Sequence, residues 1–285
     1  MRAWLIYAHE DADRNREYID FYFTGCAQHG VALTLLYAEE ITFGIRNGRC
    51  VLCYQHEPVD RPDFVICRAI YPLLTRHLEE MGLPVFNNST VAEICNDKAR
   101  TYQYVQQYGV NILDTDFRRA GAVTEDSRIP FPRIHKPVHG RGGTDVTLVQ
   151  TLADSTSHAV AFARDDYVIQ RIAPHPGKDL RVYVIGNEIV TAILRTAKTG
   201  HRANYCLGGI ATVYTLNEQE ITTVRAIVRL FDFGFVGVDF LFDHDDALLF
   251  NEIEDVVGAR AVYTLTDINI VYRYIDYLVA KVKAL

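Results

Sequence analysis

Three acidic side chains stand out because they lie in otherwise apolar runs near the end of the chain. Asp239 interrupts the run 236–242, and Glu252 and Glu254 interrupt the run 248–255. In an extended strand side chains alternate, so residues two apart share a face, and Glu252 and Glu254 point the same way. If the two runs pair across the turn at 243–246, Asp239 joins them. Three carboxylates on one face repel one another unless a cation lies among them. Oxygen-only ligands suit magnesium, held jointly with the phosphates of a nucleotide. The plainer reading is a solvated face, against which the apolar flanks weigh.

Basic and flexible residues precede this acidic set. Lys136 ends a short apolar run and leads into Gly140, Gly142 and Gly143. Glycines let backbone N–H groups approach phosphate oxygens, and a lysine adds charge. Neither a Walker A pattern nor G-x-G-x-x-G is present, so the loop by itself fits a phosphate cradle or an ordinary surface turn equally. Further on, Asp179 and Arg181 alternate on a strand, and Arg195, Lys198, Arg202 and Asn204 lead to Gly208 and Gly209. Arginines in this stretch can stabilise charge on a transferring phosphoryl group, here Arg195 or Arg202. For any one of them alone, an ordinary basic loop explains the sequence as well. No Ser-His-Asp or Cys-His set offers a protein nucleophile.

The elements that must position these residues follow an α/β order. Strands are expected at 3–8, 31–37, 63–67 and 84–86, with helices over 14–29 and 72–82 and a hairpin around Asn47-Gly48. Thr90 and Glu93 have capping-box spacing, which predicts one helix to Gly109. Residues 114–132 read as a linker or exposed loop. Strands at 134–136, 146–148, 167–172, 179–185, 188–194, 235–242 and 247–254 follow, with helices over 154–162, 218–231 and 267–281. Small sheets covered by helices account for this order.

The chain has 285 residues, enough for two or three compact lobes rather than one core. A net charge of −7 argues against a nucleic-acid backbone as partner. The apolar run at the N-terminus is short and quickly acidic, so neither a signal peptide nor a membrane anchor is expected. The cysteines Cys26, Cys50, Cys53, Cys67, Cys95 and Cys206 are then expected to be reduced thiols in a cytoplasmic protein. Cys50 and Cys53 lack a second pair at zinc spacing and read as strand residues after a turn. Arg68, at a strand end, can hold a substrate carboxylate or be a structural surface residue.

Taken in order, these motifs resemble the ATP-grasp superfamily, and within it the RimK-like glutamate ligases, from about residue 63 to residue 254. The resemblance runs through Asn87-Asn88-Ser89, Asn96-Asp97-Lys98, His135-Lys136-Pro137 and the glycine loop. It continues with Gln170-Arg171-Ile172, Asp179-Leu180-Arg181, Arg202-Ala203-Asn204, Gly237-Val238-Asp239 and Glu252-Ile253-Glu254. It implies an ATP-grasp fold with a small parallel-sheet domain over residues 1–88, a central lid over 89–170 and an antiparallel-sheet domain over 171–285. It implies ATP and Mg2+ (Mn2+ as a substitute), with Lys98 and Lys136 on phosphates and Arg171 and Ile172 against adenine through their backbone. Asp179, Arg202 and Asn204 would contact the nucleotide, and Asp239, Glu252 and Glu254 the metal. The implied reaction joins a small-molecule or peptide carboxylate to an amine through an acyl phosphate, in a protein that can form homo-oligomers. Three departures are visible. Glu254 replaces the family's usual Asn, Arg171 replaces a Glu, and residues 255–260 differ from the usual Asn-x-Ser/Thr-Pro-Gly run. A nucleotide-binding module without catalysis, or a kinase or ester-forming enzyme on the same fold, are the competing readings.

Overall fold

The computed structural model describes residues 1–122, 127–140, 146–155, 165–197 and 209–285. The first lobe carries strands β1 (Arg2–Tyr7), β2 (Ala32–Tyr37), β3 (Ile41–Arg46), β4 (Arg49–Tyr54), β5 (Glu57–Pro58), β6 (Phe64–Cys67) and β7 (Val85–Phe86). Four of them form a parallel sheet in the order β2-β1-β6-β7. Both of its faces are covered, which explains why β1 and β6 are nearly continuous apolar runs. Leu5, Tyr7, Phe64 and Ile66 meet Ile19, Tyr22 and Cys26 of the helix Arg16–Gln28 on one side. Trp4, Ile6, Val65 and Cys67 meet Leu74 and Leu78 of the helix Pro72–Glu80 on the other. The hairpin β3–β4 turns at Asn47 and Gly48, both at positive φ, as the sequence predicts. Cys50 and Cys53 are free thiols on β4.

The long helix expected from residue 90 to Gly109 is instead two helices, Ser89–Cys95 and Lys98–Gln106. Thr90 is not the cap. The Asn88 side chain accepts the Val91 N–H, and the Asp97 side chain accepts the Arg100 N–H and starts the second helix. Asn and Asp compete with helical backbone for its own hydrogen bonds, and so end and begin helices. The break sets Lys98 at the first position of a helix, where its N–H donates to the Val138 carbonyl at 3.0 Å.

A second sheet has the order β10-β9-β11-β8, from β8 (Thr115–Arg118), β9 (Arg133–Pro137), β10 (Thr147–Val149) and β11 (Tyr167–Arg171). Residues 114–132 are therefore not simply a loop. The four-residue strand β8 is too short to show a period, and its pairing with β11 defines it. Of the helix expected over 154–162, residues 156–162 lie outside the described residues.

The third sheet is antiparallel, in the order β14-β13-β12-β15-β16. Its strands are β12 (Lys178–Ile185), β13 (Glu188–Thr196), β14 (Ile210–Tyr214), β15 (Phe235–Phe242) and β16 (Leu248–Glu254). On one face Leu180, Val182, Val184, Val236, Val238 and Phe240 pack with the helices Ser89–Cys95, Lys98–Gln106 and Glu218–Val228. The last of these has a full capping box of Asn217 and Glu220. The opposite face is apolar at one end only. There Tyr183, Ile185, Ile193 and Phe235 join the first lobe's core and the helix Ile270–Ala284. Gly25 permits that approach, because a Cβ there would lie 2.6 Å from Ile275.

Asn87 joins the lobes. It is 4% exposed, its Nδ2 donates to the Phe235 and Asp255 carbonyls and to Asp255 Oδ1, and its Oδ1 accepts the Gly234 and Phe235 N–H groups. Replacing Asn87 with Ala leaves several buried groups unpaired, each costing about 1–3 kcal/mol. We expect Asn87→Ala to lower the thermal unfolding midpoint by several degrees, against a change of about a degree for the exposed control Gln103→Ala.

Candidate active site

The uncapped end of the third sheet's inner face carries the charged residues. The ladder sets Arg181 directly opposite Asp239, Asp239 opposite Glu252, Gly237 opposite Glu254 and Asp179 opposite Arg195. An irregularity in the β15–β16 register makes this possible. Asp239 pairs with Glu252 but Phe240 pairs with Phe250, so Asn251 is an extra residue on β16. A bulge of this kind reverses the alternation. Phe250 can then enter the apolar core while Glu252 and Glu254, of the same parity, face the cleft.

The three carboxylates do come together, with one oxygen of each of Asp239, Glu252 and Glu254 within 4.8 Å of the others. The expected counter-charge is, in large part, protein. Arg181 grips Asp239 with two parallel bonds, Nε to Oδ1 at 2.7 Å and Nη2 to Oδ2 at 2.6 Å, and its Nη2 also reaches Glu254 Oε1 at 2.5 Å. Arg195 bridges Asp179 and Asp239 at 2.5 and 2.8 Å. Forked, charge-assisted bonds of this type are strong and directional. Burial alone would push the Asp239 carboxyl up, but the two guanidiniums outweigh it and hold it below the usual carboxylate range. Burial raises Asp179 to about 6, with Arg195 opposing and Asp239 adding to the rise. Burial also raises Glu254, against the pull of Arg181.

The donor set fits magnesium. It is all oxygen, it carries more negative charge than the two arginines neutralise, and Glu252 and Glu254 keep side chains 26% and 23% exposed toward the cleft. Asp239 accepts three arginine bonds and Glu254 one, at Oε1, so Glu252 and the second Glu254 oxygen are the least committed and Asp239 anchors the set.

Opposite stand the two lysines. Lys98 Nζ donates to the Gly140 carbonyl at 2.7 Å and lies 3.7 Å from Glu252. Lys136 Nζ donates to Oδ1 of the bulged Asn251 at 3.0 Å. Its burial lowers its pKa to about 8, Glu252 opposing and Lys98 adding to the fall. Residues Ile70, Asn96, Lys98, His139, Glu252 and Glu254 line a cleft of about 490 Å³.

The remaining expectations fall as follows. The Arg171 side chain is exposed and its N–H donates to the Asp114 carbonyl, so this residue offers backbone only, with Ile172 beside it half-buried. Asp179 and Arg195 are committed to one another inside the sheet's charged face. Gly142, Gly143, Arg202 and Asn204 lie outside the described residues. Arg68 is a correction to its surface reading, being 6% exposed with Nη2 donating to the Val257 carbonyl at 2.7 Å. Arg181 was legible from its spacing to Asp179 but had no assigned role, whereas Asn251 had no signal because a bulge is not written in the alternation.

Two outcomes follow. Arg181→Met leaves Asp239 and Glu254 facing one another and should abolish nucleotide–metal binding or lower the melting temperature sharply, since unpairing a buried ion pair costs about 3–5 kcal/mol. Mg–ATP affinity should fall as pH rises through about 8, where the Lys136 ammonium loses its proton. Calorimetry at several pH values checks this, and Lys136→Arg should flatten the dependence.

Comparison with known proteins agrees with this geometry. The family model of the RimK-like ATP-grasp domain matches residues 95–278. The glutamate–LysW ligase ArgX of Sulfurisphaera tokodaii is 27% identical over 220 residues, covering 74% of this chain and 77% of that protein. The RimK domain ATP-grasp protein of Sphaerobacter thermophilus shares the fold with a TM-score of 0.74 at 15% identity, over 97% of this chain and 99% of that one. The ATP-grasp ligase PsnB, solved with a variant of its minimal precursor, Mg and ADP, does so with a TM-score of 0.72 at 14% identity, over 98% of each chain. Among the described residues no helix is long and apolar enough to cross a membrane. The chain belongs to the RimK-like ATP-grasp family and is an ATP-dependent carboxylate–amine ligase.

Proposed function

We propose that the cleft between the charged sheet face and the two lysines phosphorylates an amino-acid or peptide carboxylate and passes the acyl group to an amine. One observation carries this reading: Lys98 lines one cleft with Glu252 and Glu254, Lys136 stands buried close by on Asn251 within the charge of Glu252, and Arg181 and Arg195 fix the acidic wall. Lys98 and Lys136 hold the nucleotide phosphates, with Gly142 and Gly143 supplying backbone N–H groups and Arg171 and Ile172 lying along the base. Arg202 and Asn204 close on the same nucleotide. Glu252 and Glu254 would hold Mg2+, with Asp239 completing the set as its arginine-held anchor, and the ion would supply charge neutralisation for the transferring phosphoryl group; Mn2+ is expected to replace it.

The substrate carboxylate oxygen attacks the γ-phosphorus and the bond to the ADP oxygen breaks, giving ADP and an acyl phosphate. The amine nitrogen then attacks the acyl carbon, phosphate leaves with the bonding pair, and the amine's proton passes to solvent. Lys98 and Lys136 take up the charge that moves onto the phosphate oxygens. The lid domain keeps water from the acyl phosphate. In this division residues 1–88 form the first domain, 89–170 the lid domain and 171–285 the domain of the charged sheet. Glutamate is a natural first candidate as donor or acceptor, since the relative from Sulfurisphaera tokodaii is a glutamate–LysW ligase. The departing loop 255–260 keeps the pair open to other amino acids, peptides or a carrier protein.

The test is a matrix of amino acids, dipeptides and carrier peptides with ATP and magnesium, read as ADP release, with hydroxylamine added to trap an acyl phosphate. We expect pair-dependent ADP formation and a hydroxamate of the acid. Glu252→Ala should lower turnover by at least about a hundredfold. ADP release without hydroxamate, in the presence of a hydroxyl acceptor, would assign a kinase instead. Mg–ATP binding with no turnover for any pair would assign a binding module.

A further inference from the structure

Arg68, just after β6 of the first lobe, differs from the deeply buried arginines of the charged sheet. Arg181 and Arg195 each hold carboxylates, whereas among the described residues no carboxylate lies within ion-pair distance of Arg68, whose Nη2 meets only the Val257 carbonyl. Its Nε has no hydrogen-bond partner. Around it stand phenols from two elements of the first lobe, Tyr7 at the end of β1 and Tyr18 and Tyr22 one turn apart on the helix Arg16–Gln28. Tyr7 is 1% and Tyr22 0% exposed, and the Tyr18 and Tyr22 hydroxyls have no hydrogen-bond partner among the described residues. The guanidinium carbon lies 5.7 Å from the Tyr18 ring centroid and 6.0 Å from that of Phe235. The Tyr7 hydroxyl sits beside the guanidinium, whose charge and hydrogen bond oppose the effect of burial on the phenol. Burial keeps all three phenols protonated, so each is an O–H donor.

The Tyr18 and Tyr22 hydroxyls and the Arg68 Nε are buried without a partner, which is costly, and a buried cation without an anion is more so. An anion removes both penalties at once. A planar carboxylate matches the guanidinium fork and leaves lone pairs for the phenols. The place is adjacent to the cleft. Arg68 is two residues from Ile70, and its Val257 partner follows Asp255 and Val256, all three of which line the cleft. Arg68 is not itself part of the cleft lining, and a carboxylate gripped by its guanidinium and the phenols has both oxygens occupied, so it is not the one phosphorylated.

We propose that Arg68, with Tyr7, Tyr18 and Tyr22, binds the unactivated carboxylate of the amino-acid substrate and thereby selects a free amino acid over its amide. This rests on the ligase reading, and it predicts that entry needs a shift of the Val256–Val257 wall. The alternative is a purely structural Arg68, tying β6 to the loop after β16 and stacking on Tyr18 and Phe235.

Two measurements on the full chain separate these. The first follows the Arg Nε–H resonances of 15N-labelled protein, with Arg68 assigned by Arg68→Lys, while free amino acids and their C-terminal amides are titrated in with Mg–ATP analogue present. A downfield shift of the Arg68 signal with one or more acids, and none with the matching amide, is expected. An Arg68 signal that no carboxylate moves overturns the proposal, whatever the enzyme turns over. A moved signal with no amino-acid-dependent ADP formation leaves the pocket standing and sinks the ligase reading instead. The second is steady-state kinetics. Arg68→Lys should raise KM for the amino acid roughly 10- to 100-fold, with kcat and the KM for ATP changed less than about threefold, and should narrow the preference over the amide. Tyr22→Phe, which removes one hydroxyl and little volume, should raise the same KM severalfold. A structural Arg68 predicts lowered stability with the acid-to-amide preference intact in both variants, which also overturns the proposal.

Discussion

The forked pair between Arg181 and Asp239 is the constraint from which the rest of the cleft follows. A carboxylate 1% exposed must be met by charge and by hydrogen bonds, or it will not stay ionised. Arg181 meets both oxygens, and Arg195 adds a third bond while taking hold of Asp179. Such a network contributes little net stability compared with apolar packing, because desolvation offsets the attraction. What it contributes is position. With Asp239 fixed on β15, Glu252 is fixed opposite it and Glu254 is drawn to Arg181, so the acidic wall is set before any ligand arrives.

A second constraint is the joint between the lobes, and it uses the loop directly after the acidic strand. Asp255 accepts from Asn87 with one oxygen and from Asn96 with the other, and Val257 accepts from Arg68. Residues of the first lobe, of the helix pair and of the charged sheet therefore share a few residues of backbone. Gly234 and Gly237 are small for the same reason. A Cβ at Gly234 would lie 2.8 Å from Asn87 Oδ1, and one at Gly237 would lie 2.7 Å from Val257. The cleft is thus held at one end by a rigid polar seam, while the sheet that carries Lys136 approaches from the other side.

Much of this could be read from residue types. The helix-covered sheet of the first lobe followed from the alternation of strands and helices, its parallel order from the family resemblance, and the charged face of the third sheet from alternation in β12 and β16. Two local events were not legible. Thr90 and Glu93 imitate a capping box, yet Asn88 and Asp97 hold the caps, since each aims its oxygen at a backbone N–H two or three residues on. The bulge at Asn251 also left no trace, because residue parity on β16 reads the same with or without it. Both events matter to the site: one places Lys98, the other gives Lys136 its partner.

The sequence by itself determined the chemistry on offer: carboxylates in apolar strands, lysines before glycines, arginines two residues from acids. These are properties of residue type and of a period of two, which act over a few residues. Only the tertiary structure decided which charges meet. It gave Asp239 to Arg181 and Arg195, buried Arg68 among tyrosines without an anion, and turned Glu252 and Glu254 toward the lysines. Those outcomes depend on register between strands and on packing between lobes, and neither is encoded in the spacing of any one segment. The acidic residues first singled out for a metal are therefore better described as one carboxylate anchored by two arginines, one held by Arg181 through a single oxygen and one, Glu252, facing Lys98, a division made by burial and not by sequence.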